Sequence, residues 1–97
     1  MKPQYLLLIQ NNTTSLTSPA EWDRFFAAAK ASGMFNGGSA LGDRVVVGDR
    51  LSAQSSQHIG GFMRFDTDDR AKLLELLKQH PVVLHGGSVE LCEMPRT

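Results

Sequence analysis

"QHIGGFMRF", residues 57–65, is the stretch on which the fold turns. Ile59, Phe62, Met63 and Phe65 are apolar and favour a strand. Gly60 and Gly61 interrupt the run, where glycine packs nothing and weakens pairing. Two explanations are open. The glycines form a bulge that bends the strand or re-aims a side chain, or they let another backbone or a ligand approach closely. The strand runs straight into "DTDDRAKLLELLKQHP", residues 66–81. There Asp66 or Thr67 suits a helix cap, and Asp68 and Asp69 suit the positive end of the helix dipole. Ala71, Leu73, Leu74 and Leu77 give the expected buried face, with Leu76 at its margin. Pro81 prevents continuation.

Upstream lies a second strong helix, "SPAEWDRFFAAAKASG", residues 18–33. Ser18 caps it, Pro19 fits the first helical position and Glu21 completes a capping box. Trp22, Phe25, Phe26 and Ala29 recur at i, i+3, i+4 and i+7, so they share one apolar face. Gly33 is a natural stop. The short apolar run Tyr5 to Ile9 reads as a buried strand, and its length is too short for a signal-peptide core or a membrane span. "MFNGGSALGDRVVVGDRLSAQSS", residues 34–56, is less regular. Its Val45, Val46 and Val47 imply a strand pair, or one long bent strand, across about residues 38–54. "GGSVELCEM", residues 86–94, alternates as a closing strand.

The order is β-α-β-β-α-β in one domain spanning residues 1–97, an α+β, ferredoxin-like arrangement with two helices on one face of an antiparallel sheet. The first strand is apolar on both faces, so the second face also needs a cover. A second copy of the chain is the expected cover, giving a homodimer. The alternative is a monomer whose 38–54 segment folds over that face.

These features together resemble the YCII-related family, in particular its DGPF-motif branch of small dimeric α/β barrel proteins. The resemblance rests on "YLLLI", "GGSAL" (37–41), "GGFMRFDTDD" (60–69), "HP" (80–81) and "GGSVEL" (86–91). The branch often carries D-G-P-F-A-E-T-K-E before its Gly-Gly-aromatic strand. Here "DRLSAQSSQ", residues 49–57, stands in that place, and only Asp49 and Ala53 remain. The resemblance implies the barrel fold, the dimer, and a cleft near the dimer interface bordered by the glycine pair. It does not carry over chemistry that needs the missing charged groups.

Within residues 49–64, His58 is the leading candidate for acid–base work, and Asp49 is the carboxylate expected to orient it. Arg64 is a charge inside an apolar strand, suited to a ligand carboxylate or to an intersubunit pair with Glu90. Gly60 and Gly61 would border the ligand. Trp22 could line a pocket, though its spacing favours core packing. His80, His85 and His58 show no metal-ligand spacing, and the glycine pairs at 37–38 and 86–87 open no phosphate-binding helix, so neither metal nor cofactor is expected. The serines before His58 lack a readable oxyanion hole.

Composition narrows the function classes further. Ten Lys and Arg balance ten Asp and Glu. The cations are scattered rather than striped, which argues against nucleic acid. One cysteine, Cys92, allows no internal disulfide and suits a reducing, cytoplasmic setting. The expectation is a small protein that binds a polar or anionic small molecule, with an acid–base enzyme or a non-catalytic accessory module as the alternatives.

Overall fold

A computed structural model describes residues 2–95. Four strands form one antiparallel sheet: β1 (Gln4–Gln10), β2 (Phe35–Ala40), β3 (Ile59–Asp66) and β4 (Val89–Met94), ordered β2-β3-β1-β4. β1 is therefore central, paired with β3 on one side and β4 on the other. Tyr5 lies opposite Phe65 and Glu93, and Leu7 lies opposite Met63 and Leu91. Alternation then sorts the side chains. Tyr5, Leu7, Met63 and Phe65 face the helices and are buried; Leu6, Leu8, Phe62 and Arg64 face the other way.

Helix α1 (Pro19–Ala31) contributes Phe25 and Ala29 to the core, and α2 (Arg70–Leu77) contributes Leu73 and Leu77. Both helices pack on the Tyr5–Leu7 face. The domain is only 18 Å along its shortest axis, the depth of one sheet and one helical layer. Among the described residues no helix covers the opposite face, which leaves Leu6 and Leu8 half-buried.

The caps follow local chemistry. Ser18 and Glu21 form the reciprocal capping box at the start of α1, with Pro19 at its first position. α2 starts later than the sequence suggests. Its cap is Asp69, whose carboxylate accepts from the Lys72 amide at 3.0 Å. Thr67 is buried with its amide bound to the Pro3 carbonyl, and Asp66 still belongs to β3. The Asp66 carboxylate accepts from the Asn36 side-chain amide instead, and the Thr67 hydroxyl accepts from the Asp69 amide ahead of the helix. The delayed start also turns Ala71 outward and leaves Leu74 exposed. Pro81 does not merely end α2; it opens a short further helix, α3 (Pro81–Leu84), capped by His80.

The expected strand pair over residues 38–54 does not form. β2 ends at Ala40, and residues 41–58 contain no strand or helix. Val45, Val47 and Leu51 are 81%, 92% and 99% exposed. A β-branched triplet needs a neighbouring strand to pair with. Gly42 and Gly48, the latter at φ 99°, break the segment before one is reached. Arg44 ties the loop back to the body by donating to the Ile59 carbonyl and to Gln57 Oε1. Among the described residues, none of the helices is long and apolar enough to cross a membrane.

The glycine pair marks a bulge. The β1–β3 register shifts between Ile9 and Gln10, which pair with Gly61 and Ile59 and leave Gly60 without an opposite residue. A Cβ on Gly60 would stand 2.1 Å from Asn11 Oδ1. One on Gly61 would stand 2.9 Å from the Ser39 carbonyl oxygen. Gly38, across from Met63, is tighter: a Cβ there would meet the Phe62 carbonyl oxygen at 2.4 Å and Met63 Cα at 2.9 Å. Close approach of β2 to β3 accounts for both Gly38 and Gly61.

The obstacles differ in how readily they move. Gly38→Ala presses on backbone and is expected to cost about 1–3 kcal/mol, as overpacking does. Gly60→Ala presses on the tip of an exposed side chain and should cost clearly less. Urea denaturation of the two variants checks the ranking; equal stabilities would refute the close-approach explanation.

Candidate functional site

The residues that shape the site come from the C-terminal end of β1, the start of α1, β2 and the bulged start of β3. Trp22 and Phe26 lie on the α1 flank next to the buried Phe25–Ala29 stripe and are only half-buried. Their rings sit 6.0 Å apart, and Phe26 lies 6.0 Å from Phe35. Beneath them the sheet offers Ile9, Met63 and the glycine-thinned stretch of β2 and β3. With no Cβ at Gly38 or Gly61, the sheet surface is lowered, and a cleft of about 440 Å³ opens between sheet and α1. That volume is in the range of small-molecule sites. Its floor is apolar. Its polar groups are uncharged: Gln10, Asn11, Thr13, Thr17 and Ser39. Trp22 is held in place by donating its indole N–H to Thr17 Oγ1 at 3.0 Å.

The residues singled out from the sequence divide around this cleft. Gly60 and Gly61 line it. Arg64 does not; strand alternation puts it on the opposite face, exposed and beside Leu6. Asp49 and His58 are both exposed in or next to the 41–58 loop and are not brought together by a hydrogen bond. Asp49 instead accepts from the Leu51 amide at 3.0 Å. Bonds from Ser52 and from that amide hold its carboxyl below the usual range. His58 uses its carbonyl to accept from the Asn11 amide at 2.8 Å, pinning the bulge.

Trp22 is the site residue whose role the sequence understated. A helical stripe wider than the core needs places its margin at the core's edge, where a cleft forms. The stripe alone does not distinguish a ring covered by the core from one bordering a cavity.

Behind the cleft lies a second feature that the sequence did not announce. His80 is completely buried. Its Nδ1 accepts from the Val82 amide at 3.2 Å, which places the proton on Nε2. That N–H has no hydrogen-bond acceptor among the described residues. It lies in a box of aromatic rings, with centroids 4.7 Å from Phe25 and 5.0 Å from Trp22, both steeply inclined. Burial lowers the His80 pKa to about 4.

A scan against protein-family models and a search of curated proteins found no match to this chain.

His80 makes the fold acid-sensitive in a defined window. In the unfolded chain histidine protonates near pH 6.5, and in the fold only near 4. The unfolded state therefore binds more protons between these values. The stability contribution of His80 is complete above about pH 6.5 and falls as pH drops toward 4, by roughly 3 kcal/mol in total. His80→Asn keeps a capping acceptor but does not titrate. Urea midpoints at pH 7.5 and 5 should differ more for the wild type than for this variant; identical pH dependence would exclude His80 as the cause.

Proposed function

We propose that the protein binds a small molecule with an apolar body and a polar end in the cleft between α1 and the sheet. The observation that carries this reading is the lining itself: aromatic and aliphatic walls meet a rim of uncharged amide and hydroxyl groups. Few convergent polar groups over an apolar floor are what small-ligand sites have in common. The polar half of the sequence expectation is kept. The anionic half has no support in the lining, because among the described residues no Lys or Arg borders the cleft.

A homodimer is the second element of the proposal, favoured by the uncovered sheet face. The strand order β2-β3-β1-β4 supports reading the chain as the ferredoxin-like domain expected from its sequence. Leu6, Leu8, Phe62, Cys92 and Met94 form a half-buried apolar patch on its open side. Arg64 flanks Leu6 across one edge of β1 and Glu90 flanks Leu8 across the other. Opposite charges at opposite corners of an apolar face are self-complementary under a two-fold axis. This is the association that the YCII-related, dimeric α/β barrel resemblance implies.

Two measurements test these readings separately. Trp22 is the single tryptophan and stands in the cleft wall. A panel of neutral small metabolites should include one that shifts its emission saturably, and Ala40→Phe, which fills the cleft from the exposed edge strand, should abolish the shift. No saturable change across the panel, or one untouched by Ala40→Phe, would remove the cleft as the site. For the dimer, sedimentation should give twice the 10.6 kDa chain mass, and Leu8→Arg should give the monomer. A wild-type monomer at micromolar concentration would end that part of the proposal.

A further inference from the structure

Away from the glycine bulge, three residues distant in sequence meet at the corner where α3 turns into β4. Ser15 Oγ is 2.8 Å from His85 Nδ1, and His85 Nε2 is 2.6 Å from Glu21 Oε2. Glu21 is an acceptor, held ionised chiefly by its bond to His85. The imidazole proton therefore sits on Nε2, Nδ1 is the acceptor, and the Ser15 hydroxyl donates to it. This is the connectivity of an activated nucleophile: hydroxyl, base, and a carboxylate that orients the base. The ring is used in the reverse sense to the serine proteases, where Nε2 receives the serine proton.

The surrounding bonds hold the group in register. The second oxygen of Glu21 accepts the Ser18 amide at 3.0 Å, so the carboxylate is anchored on the first turn of α1. The His85 carbonyl accepts from the Thr14 amide at 2.8 Å. Asn12 and Ser88 exchange two bonds of 2.9 Å, docking the loop after β1 onto the start of β4. His85 and Glu21 are three-quarters covered, whereas Ser15 is exposed to an incoming molecule. The next residue, Leu16, is 93% exposed, and its amide makes no hydrogen bond within the described residues. The amide after the nucleophile is one of the positions from which serine hydrolases stabilise an oxyanion.

We propose that Ser15, His85 and Glu21 form a nucleophilic relay that takes an acyl group from small carboxylic esters and delivers it to water. Ser15 Oγ bonds to the ester carbonyl carbon as its proton passes to His85 Nδ1. The carbon–oxygen bond to the alcohol breaks, and the alcohol leaves with that proton. Water then adds to the acyl carbon, giving its proton to Nδ1. The Ser15–acyl bond breaks, the proton returns to Oγ, and a carboxylic acid is released. Glu21 is a positioning residue, acting through the ring. The relay is independent of any ligand in the cleft, although Thr13 and Thr17, two residues to either side of Ser15, line the cleft wall.

p-Nitrophenyl acetate and a fluorophosphonate are the probes. The wild type should release nitrophenol and carry the phosphonyl group on Ser15 by peptide mass spectrometry. Ser15→Ala, a change on the exposed surface, should remove both signals. Glu21→Gln keeps the capping box, since Gln caps as Glu does. It should slow labelling at least tenfold with the melting temperature preserved, by lowering the maximal rate while the probe concentration for half-saturation stays unchanged. Glu21 is the charged group bonded to the ring, and Arg24 shares a surface hollow with it. Labelling no faster than in the urea-unfolded chain, labelling on another residue, or equal rates in the wild type and Glu21→Gln would overturn the relay.

Discussion

The structure depends on β1 being a central strand with helices on only one of its faces. Its side chains are apolar in both directions, and pairing on both edges satisfies its backbone. Tyr5 and Leu7 meet Phe25, Ala29, Leu73 and Leu77 and complete a core. Leu6 and Leu8 meet nothing comparable among the described residues. For a chain of 97 residues, surface is large relative to volume, and a single helical layer cannot enclose the sheet. The open face follows from that constraint, and so does the case for a second copy.

The same economy of material shapes the cleft. β2 approaches β3 closely because Gly38 and Gly61 carry no side chains to hold them apart. Without those side chains the helix-facing surface of the sheet is low at this end, while α1 keeps its full complement of aromatic rings. The cleft is the space between a thinned sheet and a bulky helix margin. The bulge at Gly60 extends the effect to the loop after β1, because Asn11 lies over Gly60 and bonds to the Gln57 carbonyl at 3.3 Å. The glycine pair therefore has a structural cause, and the cleft is its consequence.

Chemistry-bearing residues were the least legible part of the molecule. Asp49 and His58 are near in sequence, which suggested a pair, but the loop between them closes on local bonds at Asp49 and Arg44 instead. Ser15, Glu21 and His85 gave no motif, because up to seventy positions separate residues that the β1–β4 pairing brings side by side. Strand alternation put Arg64 on the face of Phe62, and only the packing of the helices against Met63 and Phe65 made that face the open one.

What the sequence determined by itself is the set of local decisions. The Ser18–Glu21 capping box, the proline at the first turn of α1, the glycine after its end, the short apolar run of β1 and the strand-favouring residues of β3 each act through neighbours a few residues away, and each element appeared near where that chemistry puts it. The tertiary structure decided what depends on distant partners. The valine triplet at 45–47 stayed in a loop because no strand lay beside it. The cap of α2 moved to Asp69, the residue from whose amide the Thr67 hydroxyl oxygen accepts at 2.9 Å, while Thr67 itself is held in the body by the Pro3 carbonyl. His80 and His85, close in the chain, were given opposite surroundings, one an aromatic box and the other a hydroxyl and a carboxylate. A side chain's protonation and reactivity follow from what surrounds it, and those surroundings exist only once the chain is packed.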